Sequence, residues 1–233
     1  AGIQTLIDAL ASMPLVKPII TPRFIPSCTP EMLRCMGEVA KQTLLPVQSH
    51  LSENKQEIAW VKELEPESSC YGDAYYRYGL FGQTPTLMAH CCYTDGEELQ
   101  LMREQNVYAV HCPTSNCNLA SGIAPVRKLL QQGVNVALGS DIAGGHHLSM
   151  FRVMQYAVQM SKLQYTASDG KYPFLTLSEV FYMATKVGGS LFGKVGSFEK
   201  GYAFDALVID DLCLSPHHLI TSSPIERLER FVY

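Results

Sequence analysis

The stretch "PVQSHLSEN", residues 46–54, closes an apolar run on His50 and sets Glu53 three positions later. An imidazole at a strand's end with a carboxylate just past it can be a metal ligand beside a proton-transfer group. The same residues can also open a helix, with Ser49 or Ser52 as the cap and Glu53 at the positive end of its dipole. Four further runs extend the pattern. "VKPIITPRF" runs to Arg23, "TPTLMAHCC" reaches His90, "VYAVHCP" reaches His111 and "VNVALGSD" reaches Asp141. A lone strand-end histidine is ordinary hydrogen-bonded structure. Three histidines and an aspartate at successive strand ends point to a metal site.

Something must hold these groups in register. Each run is nearly all apolar, as a parallel strand buried on both faces would be. Each is followed by helical spacing, in "PEMLRCMGEVAKQ", "SENKQEIAWVKELE", "DGEELQLMREQ", "APVRKLLQQG" and "LSMFRVMQYAVQMSKL". Pro30 suits a first helical turn. A doubly wound sheet shares this grammar, but polar residues gathered at the strand ends favour a barrel mouth. The expectation is an α/β chain holding an incomplete (β/α)8 TIM-type barrel of about five βα units, followed by a small β segment. Residues 1–192 would form the barrel part. Residues 193–233 would form a partial β-sandwich segment and C-terminal tail, with "GSFEKGYAFDALVID" supplying a strand pair.

Composition excludes some partners. The chain has 233 residues, a net charge of −4 and no run of Lys or Arg, so it carries no footprint for nucleic acid. No apolar stretch approaches about 18 residues, so none spans a membrane. "AGIQTLIDALASMPLVKP" reads as an amphipathic helix running into a strand, not a signal peptide. None of the eight cysteines forms a C-x-x-C pair. They read as reduced, buried apolar thiols, Cys91 and Cys92 included, and the cytosol is the expected compartment.

Together, "SHLSEN", "MAHC", "HCPTSN" and "LGSDIAGG" resemble the amidohydrolase superfamily of metal-dependent hydrolytic barrels, from about residue 16 to the end of the chain. "TPRF", "HCPTSN" and "GSDIAGG" resemble its purine deaminases. The resemblance implies hydrolytic deamination of guanine to xanthine and ammonia, in purine catabolism. It implies zinc held by His50 and Asp141, with Glu53 as proton shuttle, Asp141 also catalytic in taking the water's proton, and His90 beside the attacking water. Arg23 would hold the purine by hydrogen bonds, Phe24 would pack against it, and His111 would be a supporting or loop-positioning residue. His50, Glu53 and Asp141 would also meet the substrate. A small purine as partner and a homodimer of the full-length protein are implied as well. Such His/Asp donors accept iron as well as zinc.

The chain departs from that pattern at one point. The superfamily's H-x-H pair at the first barrel strand is absent. The expectation is therefore a C-terminal portion of a longer protein, whose remaining metal ligands come from a missing N-terminal part. Another amidohydrolase-type heterocycle deaminase, or an inactive truncated isoform acting as a binding partner, stay open. The cysteine-ligated deaminases are set aside, because no H-x-E or P-C-x-x-C occurs. Other segments carry plainer expectations. "DIAGGHHLSM" is either a mobile loop or a tight turn capped by Ser149. "CYGDAYYRYGLFG" is a covering loop or an aromatic wall for a base. "TLSEVFYMATKVGGSLFG" is a structural helix in which Gly188 and Gly189 allow close approach.

Overall fold

The computed structural model describes residues 2–210 and 223–233. In chain order, the first elements are α1 (Gly2–Leu10), α2 (Pro30–Thr43), β1 (Val47–Leu51), α3 (Lys55–Leu64), α4 (Tyr71–Arg77), β2 (Thr86–His90) and α5 (Gly96–Glu104). Then come β3 (Tyr108–His111), α6 (Pro113–Asn118), α7 (Val126–Gln131), β4 (Val136–Leu138), α8 (Met150–Ala167), α9 (Leu177–Tyr182), α10 (Gly188–Ser190) and α11 (Pro224–Val232). This is the expected α/β alternation. Among the described residues no helix is long and apolar enough to cross a membrane. Cys213 and the pair His217-His218 lie outside the described residues.

The chain forms two compact units, one of Ala1–His111 with Ala124–Asn135 and one of Cys112–Ile123 with Val136–Tyr233. In the first, β1, β2 and β3 pair in parallel, with Leu51 opposite His90 and Leu87 opposite Tyr108. Burial alternates along β1 and β2, so each strand has one fully buried face and one half-buried face rather than two buried ones.

The run "VKPIITPRF" does not form a full strand. It makes a single parallel bridge, Ile20 to Val47, closed by Ile20 N–H to the Pro46 carbonyl and Gln48 N–H to the Ile20 carbonyl. Pro18 and Pro22 flank that bridge, and proline has no N–H to extend a ladder.

Residues 70–82 also differ from expectation, because α4 lies within them. Tyr71 and Tyr75, one turn apart on that helix, stack at 5.4 Å between ring centroids and are buried. Gly37 on α2 lets this region close up. A Cβ there would sit 1.8 Å from the Tyr78 carbonyl oxygen. Pro30 does open α2, with Thr29 as its cap accepting from Met32 N–H.

In the second unit β4 is buried at all three positions. Ser149 occupies the cap position of α8, but its side chain makes no capping hydrogen bond. The Thr176–Glu179 capping box opens α9, which runs through a π-helical turn at Met183–Val187 into α10. Gly189 makes the close approach expected of it, since a Cβ would lie 2.2 Å from the Val195 carbonyl oxygen. At Gly188 the nearest atom would be 3.6 Å away, an ordinary contact. Residues 196–210, expected to supply a strand pair, carry no strand. Phe204, Leu207 and Val208 are exposed there, and no strand pairs with them among the described residues.

Candidate active site

The site in the first unit grows out of the ends of β1 and β2. Neither Ser49 nor Ser52 caps the helix that follows His50; Asn54 does, accepting from Glu57 N–H at 2.9 Å. The serines are anchors instead. Ser49 Oγ donates to the Pro22 carbonyl at 2.8 Å and lies 2.7 Å from Tyr75 Oη. Ser52 Oγ donates to the buried carboxylate of Glu98 at 2.7 Å.

His50 faces the less buried side of β1 and is tied to Arg23. Its Nδ1 lies 2.5 Å from the Arg23 carbonyl oxygen. A carbonyl can only accept, so Nδ1 carries the proton and Nε2 keeps its lone pair. A hydrogen bond that fixes the tautomer and leaves the other nitrogen as donor is the usual support of a metal-binding imidazole. The His50 carbonyl is held in turn by Tyr75 Oη–H at 2.9 Å.

Strand alternation alone would send His50 and His90 to opposite faces, because His90 is opposite Leu51, the residue after His50. Their rings nevertheless stack, 5.1 Å apart and 18° from parallel. The alternation stops at His90, whose φ of +73° is left-handed, as are those of Cys91 (+50°) and Ser52 (+46°). Left-handed backbone is costly for residues with a Cβ and clusters where function fixes geometry. The turn at Ser52 brings Glu53 Oε2 to 3.7 Å from His90 Nε2.

A cavity of about 340 Å³ opens beside these groups, walled by Arg23, Phe24, His50 and Glu53 and by Asn54, Gln56, Glu57 and Trp60 from the start of α3. Phe24 meets both His50 and Trp60 edge-on, each at 6.4 Å between centroids. The Arg23 guanidinium stands 5.6 Å from the centre of the Phe24 ring. Glu57 is buried and accepts from Tyr71 Oη–H at 2.8 Å. Burial pushes its carboxyl above the usual range, and the Tyr71 bond opposes that only in part. The cavity thus offers guanidinium donors, an aromatic edge, a carboxylate and an imidazole nitrogen to a flat polar ligand.

His111 does not line this cavity. It is buried, and burial together with His90 pushes its pKa down to about 3, so it stays neutral at physiological pH. Cys91, Cys92 and Cys112 are buried free thiols, as expected, but Cys35 and Cys117 are exposed and Cys28 and Cys70 half-buried, so the expected burial fails for four of the described cysteines. In the second unit, Asp141 lies three residues beyond β4 in a left-handed conformation (φ +46°). The loop closes over it through Gly145 N–H to its carbonyl at 2.6 Å. Gly144 leaves room for its carboxylate, since a Cβ there would come within 2.8 Å of Oδ2. Asn118 Nδ2 ties that loop by donating to the Gly144 carbonyl and to His146 Nδ1.

Sequence reading missed Asn54, Gln56, Glu57 and Trp60. Their signal was available: Glu53, Glu57 and Trp60 fall at helical spacing, so one face of α3 continues the wall that Glu53 begins.

A profile of the amidohydrolase family matches residues 3–232. The "Probable guanine deaminase" of Schizosaccharomyces pombe is 46% identical over 201 residues, covering 84% of this chain and 38% of that protein. A guanine deaminase from C. acetobutylicum, solved with guanine bound in its active site, superposes at a TM-score of 0.94 with 55% identity. That match covers 99% of this chain and 55% of the other. An adenosine deaminase from Xanthomonas campestris, solved with bound zinc, is 27% identical with a TM-score of 0.76, covering 86% of this chain and 47% of its own. The chain spans about half the length of the relatives it matches.

Proposed function

The chain belongs to the amidohydrolase family, and from that premise we propose that it carries the substrate-binding and proton-transfer groups of an enzyme converting guanine and water to xanthine and ammonia. The observation that supports this most is the cavity in which Arg23 and Phe24 share a wall with His50 and Glu53. The likeness to a guanine deaminase solved with guanine adds to it.

The donor chemistry suits a zinc ion. His50 would bring an imidazole and Asp141 a carboxylate, and the His50 tautomer is fixed for coordination through Nε2. We assign His50 and Asp141 as ligands. Zinc bound there would make water acidic enough to ionise near pH 7.

The remaining work falls to side chains. Arg23 presents a rigid fork of donors to the carbonyl oxygen and ring nitrogens of guanine, and Phe24 packs against the ring. His90 orients the attacking water. Glu53 takes the water's proton and passes it to a ring nitrogen as the C–O bond forms at the amino-bearing carbon. It then collects the remaining hydroxyl proton as the carbonyl forms and delivers it to the departing amine, the C–N bond breaks, and ammonia and xanthine result. The free thiols among the described cysteines suit a cytosolic address.

The test is turnover by the full-length protein. Stoichiometric xanthine and ammonia from guanine, lost with a chelator and restored by zinc, is the expected result. No xanthine, with another amino-heterocycle consumed, would replace guanine as the substrate.

A further inference from the structure

Glu98 is a buried carboxyl with no part in the chemistry described above. It lies in the first turn of α5 and is 5% exposed. Both of its oxygens are engaged. Oε2 accepts from Ser52 Oγ at 2.7 Å, and Oε1 accepts from Gly72 N–H at 3.0 Å, an N–H of α4's first turn. At Gly72 a Cβ would sit tightly, 3.0 Å from the Phe81 ring, whereas Glu98 Cγ at 3.5 Å would be an ordinary contact. One carboxylate therefore joins the end of β1, the start of α4 and the start of α5.

The residue it holds is informative. Ser52 lies between His50 and Glu53 and takes a left-handed φ of +46°. Its carbonyl accepts from Tyr93 N–H at 3.1 Å, just past β2. A left-handed serine is unfavourable on its own and persists only where its surroundings fix it. The buried hydrogen bond from its hydroxyl to Glu98 supplies that fixing. Relaxing the turn at Ser52 would swing the next side chain, that of Glu53, away from His90.

We propose that Glu98 is a positioning residue that locks the left-handed turn at Ser52 and thereby aims Glu53 at its proton-transfer partners. The inference rests on the role given to Glu53 above.

The experiment uses the full-length protein with Glu98→Ala, Glu98→Gln and Ser52→Ala. Displacing a reacting group by a fraction of an ångström is costly. Glu98→Ala and Ser52→Ala should each lower kcat for guanine about tenfold or more, with KM and zinc content close to wild type. Glu98→Gln, which still accepts from Gly72 and can donate to the Ser52 hydroxyl, should recover most of that loss. In a Glu53→Gln background, Glu98→Ala should cost little more. Wild-type kcat in folded Glu98→Ala, or an undiminished loss in the Glu53→Gln background, would overturn the proposal. If Glu98→Ala does not fold, Ser52→Ala decides, and unchanged kcat in that variant overturns it.

Backbone amide exchange separates this idea from the choice of substrate. Exchange across residues 50–54 should rise in Ser52→Ala whatever the enzyme turns over, and unchanged exchange sinks the proposal. A wild-type protein that makes no xanthine sinks the guanine reading instead.

Discussion

The Arg23 carbonyl oxygen accepts the Nδ1 proton of His50 at 2.5 Å, so the residue proposed to read a substrate also fixes the tautomer of the residue proposed to hold a metal. The first job uses Arg23's side chain and the second its backbone. Mutation can therefore separate them.

Arg23→Lys keeps the carbonyl and loses the planar fork. Zinc content should match wild type while KM for guanine rises about tenfold or more, the loss of a bidentate contact to a polar ring. Elemental analysis alongside steady-state kinetics checks both halves. A fall in zinc would contradict the separation.

His50→Ala removes a proposed ligand, so zinc and activity should disappear together. His50→Gln, which lacks the imidazole, should not restore either. Retained zinc at wild-type stoichiometry would remove His50 from the ligand set.

Glu53→Gln keeps size and polarity but cannot carry a proton. Turnover should fall at least about a hundredfold, the scale of general acid–base catalysis, while zinc stays bound. The same readout at near wild-type kcat would refute the shuttle.

Glu57 gives a prediction with a sign in pH. Burial raises its folded-state pKa above the unfolded value. The stability this gives is present in full below the unfolded pKa and is lost as pH rises through the raised folded one. Glutamine does not titrate. The melting temperature of Glu57→Gln relative to wild type should therefore improve from pH 4 toward pH 8, and a difference that is flat or falling would contradict the assignment.

Gly189→Ala and Gly188→Ala form a matched pair. The first would drive a Cβ to 2.2 Å from the Val195 carbonyl oxygen and should destabilise by about 1–3 kcal/mol. The second meets only ordinary contact and should be neutral or slightly stabilising, because alanine is the better helix former. Denaturant melts of the two variants decide.

Much of this site could be read from strand ends alone. His50, Glu53 and His90 fall together because parallel strands in register deliver their C-terminal ends to one rim, and the nearly all-apolar runs show where those ends are. Tertiary detail stayed hidden. "VKPIITPRF" has the composition of a strand, yet its prolines cut the ladder to one bridge. The tyrosines of residues 70–82 suggested a covering loop, but two of them are core residues on a helix whose hydroxyls hold Glu57 and the His50 carbonyl. Nothing local in the sequence shows that Ser52 bonds a carboxylate 46 positions away. The stacking of His50 on His90 also runs against simple alternation, and it depends on a backbone angle that no side-chain pattern encodes.

Trp60 is the chain's single tryptophan, and it stands in the cavity wall with its ring edge-on to Phe24. Within this chain, indole fluorescence therefore has one source, and that source borders the place a purine would occupy. Emission should quench or shift as ligand arrives, so occupancy can be followed optically in real time, without a label and without waiting for product.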